Sequence, residues 1–429
     1  MTDAPKQLRL AAYFPGVNSE TVWNDPRSGS QIAFSSFAHL ARTAERGLFD
    51  FVLVPEELRL REHHGLIHDL DAAGRPESLT VLAALAAVTD RLGLAATVGT
   101  TFNEPCDVAR RLATLDHLSA GRAAWNVACA TSCDALTGEN FRRGAHLDPA
   151  GGGTRAAEFL ATAREMWDSW TPDGTPRPFA HHGRHFSVEG EFTVPRSPQG
   201  HPVVIREGDA AEDREFAASA ADIVVTRHGT REAGRAFRAD ITGRLAKYGR
   251  EPHELTVMPG VGVVLGDSDA EARERAAGIR LQQVSPRRAI LALERVWGRD
   301  LSSYDPDGPL PVIDPDPAGR RPGDALAVAA RWRALSREKG LSIRRTVIKA
   351  TGRQTFIGSP RTVAAEMAGL VATGAADGFL LVPHLTPGGL DDFVDQVVPL
   401  LQERGVFRSA YTGSTLRSHL GIAEPVWKG

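Results

Sequence analysis

Several polar residues stand where a run of apolar residues ends, and their types set the chemistry open to this chain. Asn126 interrupts the apolar run "AAWNVA"; its amide carries both donor and acceptor, suited to the heteroatom edge of a ring or to capping a turn. Glu56 and Glu57 follow "FVLVP", and two adjacent carboxyls become candidates for proton transfer if burial raises one pKa; otherwise they are a solvated pair. In "VVIREGDAAEDREF", Arg206, Glu207, Gly208, Asp209 and Ala210 precede a helix-like stretch. Gly208 permits close approach of a ligand, and the helix N-terminus favours an anion, while Asp209 equally suits an N-cap. His63, His64, His228 and His384 lie near strand ends; His228 in "TRHGT" and His384 in "VPHLTPGG" are candidates to face a substrate, or else capped loop histidines. No H-x-x-x-H or C-x-x-C stands in a fitting context, so no metal site is expected. Cys129 and Cys133 read as small buried thiols or as reactive ones.

These residues need a scaffold that gathers strand ends. Eight apolar runs bounded by turn residues provide one: Leu8–Phe14, Phe49–Val54, Leu92–Val98, Ala123–Ala128, Pro202–Ile205, Asp222–Thr226, Val257–Gly266 and Asp377–Pro383. Helix-like segments such as "FSSFAHLARTAERG" and "ESLTVLAALAAVTDRLG" alternate with them. Most runs are apolar on both faces, as parallel strands covered by helices outside and filled by side chains inside must be. Eight βα units imply a (β/α)₈ TIM barrel, whose functional residues sit on the loops at the C-terminal strand ends. A doubly wound sheet is the alternative, but "YFPGVNSETVW" after the first strand is no G-x-G-x-x-G. The expected organisation is one domain over residues 1–429 with insertion regions after strand 4 (129–201) and after strand 7 (283–352). Within the second, the Pro-, Gly- and Asp-rich Tyr304–Asp324 reads as an extended or mobile loop.

With 42% apolar and 24% charged residues and a formal charge of −3, the 429-residue chain has the make-up of a soluble globular protein. No charge imbalance draws it to nucleic acid or to an anionic membrane. No signal peptide or spanning segment is read, and three cysteines in so long a chain suggest reduced thiols and a cytoplasmic setting.

Taken in order, "HLARTAERGLFDFVLV", "GRPESLTVLAALAAVTDRLGLAATVGTTFNEP", "ARRLATLDHLSAGRAAWNV", "TGENFRRG", "SPQGHPVVI", "TRHGT" and "GSPRTVAAEMAGLVATGAADGFLLVPHLTPGGLDDFVDQVVPLLQERGVFR" cover nearly the whole chain. Together they resemble the bacterial luciferase-like flavin monooxygenases, in the branch of nitrilotriacetate, long-chain alkane and dibenzothiophene-sulfone monooxygenases. The resemblance implies a barrel that takes reduced FMN from a separate flavin reductase and uses O₂ to oxygenate a small organic substrate, as a homodimer or homotetramer. It puts Asn126 beside the flavin ring, matches Glu56 to the branch's acid, and places Glu57 near a His of the luciferases proper, with His228 as the second catalytic candidate. Ala96 and Thr97 fall where the superfamily has a non-prolyl cis peptide under the ring. Departures are visible too. Val127, Ala128, Cys129 and Ala130 stand for the usual Val-Val-Thr-Ser, and Gly151–Gly153 stand near the usual Asp/Glu-Arg-Tyr. Arg206 to Ala210 replace Gln-Ala-Gly-Asp/Ser-Ser, which removes a hydroxyl and brings Glu207 and Asp209 near the expected phosphate, with Arg206 as the compensating cation. A deazaflavin-dependent or repurposed oxidoreductase, or a non-catalytic descendant without flavin, is the alternative.

Overall fold

A computed structural model describes residues 7–14, 21–22, 25–56, 58, 76–128, 152–316 and 322–427. Eight parallel strands close into a barrel: β1 (Arg9–Tyr13), β2 (Phe51–Val54), β3 (Gly93–Gly99), β4 (Ala123–Ala128), β7 (Val203–Glu207), β8 (Ile223–Thr226), β9 (Thr256–Leu265) and β11 (Gly378–Leu381). Closure runs through β8–β9 and β9–β11, so no edge is left. Each of the eight apolar runs forms one of these strands.

Alternation along the strands divides the core in two. Leu10, Ala12, Val52, Ala96, Trp125 and Val204 face outward and pack under the helices. Ala11, Phe51, Leu53, Ala95, Ala124, Val203, Ile205, Ile223, Val225, Met258 and Leu380 fill the interior. The short helix Leu416–Leu420 joins that inner layer, with Leu416 and Leu420 buried in it. Arg9 in β1 donates to the carbonyls of His419 and Leu420 at 3.0 and 2.7 Å, and Arg417 reaches the His201 carbonyl and Asp222, so the helix closes the N-terminal end of the barrel.

Outer helices begin on caps that the sequence carries. Glu77 accepts from the amides of Leu79 and Thr80, and Ser359 with Pro360 opens the helix Pro360–Ala372. After β4, the helix Gly152–Asp168 buries Ala156, Phe159, Leu160, Met166 and Trp167 and covers the barrel. Gly152 and Gly153 belong to its first turn. An antiparallel hairpin, β5 (Pro178–His182) with β6 (Ser187–Glu191), follows, held by Glu158, whose Oε1 accepts from the amides of His185 and Phe186 at 2.8 Å.

After β9 the chain adds what the apolar runs did not announce, a ninth strand β10 (Thr355–Gly358) pairing with the C-terminal half of β9. Before it, the helices Pro286–Trp297, Pro322–Lys339 and Ile343–Thr351 enclose a separate core of Leu293, Trp297, Trp332, Ile343 and Val347. The Pro-rich stretch between the first two is extended and pinned. Trp297 Nε1 donates to the Ile313 carbonyl at 2.8 Å, and Arg333 donates to the carbonyls of Pro311, Val312 and Ile313. Residues 317–321 lie outside the described residues. No helix among the described residues is long and apolar enough to cross a membrane.

Candidate active site

At the C-terminal end of the barrel, the inward positions just above the apolar interior turn polar. In the β3–β4 register Thr97 lies opposite Asn126, and Asn126 in turn lies opposite Ile205 of β7. The neighbouring Trp125 points the other way; its indole packs against Phe159 and donates to the Val98 carbonyl at 3.0 Å. Period-two alternation thus explains the Trp-Asn pair: the ring anchors the helix layer and the amide enters the barrel. Asn126 is 1% exposed, and its Nδ2 donates to Thr97 Oγ1 at 3.1 Å. Its Oδ1 is buried without any hydrogen-bond partner. A buried acceptor left open costs about 1–3 kcal/mol, a cost that a donor from outside the chain would remove.

Glu56, just past β2, accepts from the Gly99 amide through Oε2 at 3.3 Å. Burial pushes its carboxyl up to about 7, Glu77 nearby adds to the rise, and the Gly99 amide opposes it. Glu207 ends β7 two residues beyond Ile205 and so points inward like it. Its surface opens onto the cavity at the mouth, yet protein surrounds it, and that desolvation raises its pKa against the pull of Asn126, Arg227, Arg353 and Arg206. The cavity has a volume of about 310 Å³ and is lined by Tyr13, Glu207, Gly208, Asp209, Arg227 and Arg353 among others.

Other candidates are placed differently from the expectation. Arg206 leaves the barrel interior: its guanidinium donates to the Val127 carbonyl at 2.6 Å, pairs with Asp213, and lies over the Phe216 ring. It therefore serves neither a phosphate nor Glu207. Gly208, at φ +141°, leaves room for Asp213, whose Oδ2 would lie 2.0 Å from an added Cβ. Ala210, not Asp209, is the N-cap of Ala211–Ala220, and Asp213 reaches back to its amide. Asp209 instead accepts from the Arg227 amide at 3.1 Å, tying the β7 and β8 ends together. His228 turns into the helix layer, bonded to Thr226 Oγ1 at 2.7 Å and tilted against Phe237, so it does not face the cavity. Ala96 likewise packs outward, and the Ala96–Thr97 peptide is trans, since regular parallel pairing with β4 runs unbroken from Leu94 to Gly99. Ala128 is half-buried at the end of β4, opposite Gly99. Glu57, His63, His64, Cys129 and Cys133 lie outside the described residues. Among those described, no group of His, Cys, Asp or Glu could hold a metal ion.

Tyr13 and Arg353 escaped the sequence reading. The first was accessible from the alternation Ala11 in, Ala12 out, Tyr13 in; the second had no local signal, because it follows the helical insertion. For a flavin mononucleotide the residues fit in kind. The open Asn126 acceptor suits a ring N–H, Gly99 and Ala128 leave the upper layer without bulk, and Arg227 and Arg353 bring positive charge to the cavity wall.

Comparison with known proteins adds an independent line. A family model described as luciferase-like monooxygenase matches residues 19–377. N-acetyl-S-(2-succino)cysteine monooxygenase of Bacillus subtilis (strain 168) is 35% identical over 452 residues, covering 99% of this chain and 99% of that protein. Nitrilotriacetate monooxygenase component A of Aminobacter aminovorans is 37% identical over 452 residues, covering 98% of each. A solved structure of riboflavin lyase with modified FMN and riboflavin superposes with a TM-score of 0.83 at 26% identity, covering 99% of this chain and 98% of that one.

Proposed function

The chain belongs to the luciferase-like monooxygenase family, and from that premise we propose that it takes reduced FMN from a separate flavin reductase and uses O₂ to oxygenate a small organic substrate at the barrel mouth. The observation that carries this reading is the buried, unpartnered Oδ1 of Asn126, whose amide neighbours Glu207 on the cavity wall. Two of the comparisons support it further: a relative whose name makes it one component of several, and a structural neighbour that holds a modified FMN.

Reduced FMN, when bound, supplies the electron pair for activating O₂. The chain's own residues bind, orient and manage protons. Thr97 fixes the orientation of the Asn126 amide, leaving its carbonyl to accept from the ring edge. Arg227 and Arg353 offset the phosphate charge, and Asp209 fixes the backbone that carries Arg227. Glu56, with a carboxyl near neutrality, is the group best suited to give or take a proton at working pH. A cytoplasmic setting accords with the exposed, unpaired Cys106. The reading also takes the protein as a homodimer or homotetramer.

Anaerobic titration with reduced FMN, followed by fluorescence or calorimetry, tests the proposal. Saturable binding, then substrate-dependent consumption of O₂ when air and a flavin reductase are supplied, is expected. Binding of a deazaflavin alone, or no flavin binding, overturns it.

A further inference from the structure

Glu207 stands apart from the other charged residues of the barrel mouth. It is the only carboxylate carried inward on a barrel strand among the described inward positions, which apart from Arg9 at the N-terminal end are otherwise apolar, amide, hydroxyl or glycine. Its register fixes that direction, because Val203 and Ile205, four and two residues earlier, lie in the barrel interior. The polar and charged groups facing it come from several elements. Asn126 approaches from β4, Arg227 and Asp209 from the strand ends of β8 and β7, Arg353 from the segment before β10, and Tyr13 from β1. Arg206 acts on it only through space, being bonded to Asp213 and the Val127 carbonyl.

An FMN phosphate is a dianion above about pH 7, and an ionised carboxylate sharing the cavity with it repels it. Two responses are open: the anion binds elsewhere, or the carboxylate takes a proton. Arg227 and Arg353, which line the same cavity as Glu207, draw the anion to this wall and so favour the second. We propose that Glu207 is the proton-accepting group of the cofactor pocket, taking up one proton from solvent when the anionic flavin nucleotide binds and meeting it as a neutral hydrogen-bond donor. The inference rests on the reading of this mouth as the flavin site. Atoms and charge balance simply: one carboxylate and one solvent proton give one carboxylic acid, with no electrons transferred. Burial already pushes this carboxyl upward before any ligand arrives, so uptake on binding is confined to pH values above that of the free group. The linkage has a definite sign: with the carboxyl's pKa higher in the complex than in the free protein, FMN binding weakens as pH rises through the free value.

Calorimetric titration of oxidised FMN into the full chain, in two buffers of different ionisation enthalpy between pH 7 and pH 9, measures the protons taken up. The parent protein is expected to take up as much as one proton, with its apparent Kd rising by up to about tenfold per pH unit where uptake is complete. Glu207→Gln, which keeps shape and donor capacity, is expected to take up none and to hold Kd constant within about twofold over that range. Glu56→Gln serves as the control for the other raised carboxyl and should retain the uptake. FMN binding with proton uptake unchanged in Glu207→Gln, or abolished only in Glu56→Gln, overturns the assignment of Glu207 alone. Absence of FMN binding by the parent protein overturns the assignment together with the flavin reading.

Discussion

Replacing Asn126 with leucine, a side chain of nearly the same shape, separates what this residue does for the fold from what it does for a ligand. In the unliganded protein the change removes an unsatisfied Oδ1, relieving about 1–3 kcal/mol, and removes the Nδ2 bond to Thr97 at 3.1 Å, which contributes about 0.5–1.5 kcal/mol. Thr97 Oγ1 is left without that donor, adding a cost similar to the second. These contributions oppose one another, so Asn126→Leu should change stability by no more than about 2 kcal/mol, unlike most polar substitutions at a 1%-exposed position. Binding should respond differently. If Oδ1 accepts one neutral N–H from the flavin, its loss weakens FMN binding by about 1 kcal/mol, or roughly fivefold in Kd. Denaturant midpoints measure the first quantity and fluorescence titration the second. A variant destabilised by more than about 3 kcal/mol, or one that binds FMN as tightly as its parent, would refute the reasoning.

Four further outcomes are expected. Glu56 carries a carboxyl at about 7 in place of 4.5, so the stability due to its protonated form is complete below pH 4.5 and is lost as pH rises through 7; Glu56→Gln should raise the melting temperature near pH 8 and leave it unchanged near pH 4. Gly208→Ala sets a Cβ 2.0 Å from Asp213 Oδ2 at φ +141°, and chemical denaturation should show a loss of stability that Asp213→Ala partly restores. Arg206→Ala strands the buried Asp213 carboxylate and should cost about 3–5 kcal/mol, while the double variant lacking both charges should recover a substantial part in a mutant cycle. Trp297→Ala opens a void worth about 3–5 kcal/mol inside the three-helix insertion. Hydrogen exchange should quicken in Pro286–Trp297 while the barrel strands keep their protection.

All eight barrel strands were legible because parallel strands buried on both faces leave uninterrupted apolar runs, as in "FVLV" and "IVVT". Strand β10 was not, since "TFIG" is short and pairs only with the overhanging half of β9. At the site, position told more than motif. Asn126 and Thr97 could be placed inside by alternation alone, whereas Arg206, next to inward residues, was assigned a ligand on grounds of charge although the same alternation sends it outward to Asp213. His228 shows the same difficulty past a strand end, where period two no longer applies and Thr226 and Phe237 decide the direction of the ring. Arg353 depends on the path of the chain through three helices, which no local pattern encodes.

The helix Leu416–Leu420 has a consequence for how this protein is made. Arg9 grips the carbonyl of His419, 410 positions away, and at about 5–20 residues per second a ribosome needs roughly 20–80 s to deliver the second after the first. Throughout that interval the lower rim, with Ala11, Phe51, Ala124 and Val203 behind it, lacks its stopper. Translation arrested before Leu416 should leave a nascent barrel that chaperones recognise from below, and a tag or fusion that tethers this helix should impair assembly of a centre at the opposite end of the molecule.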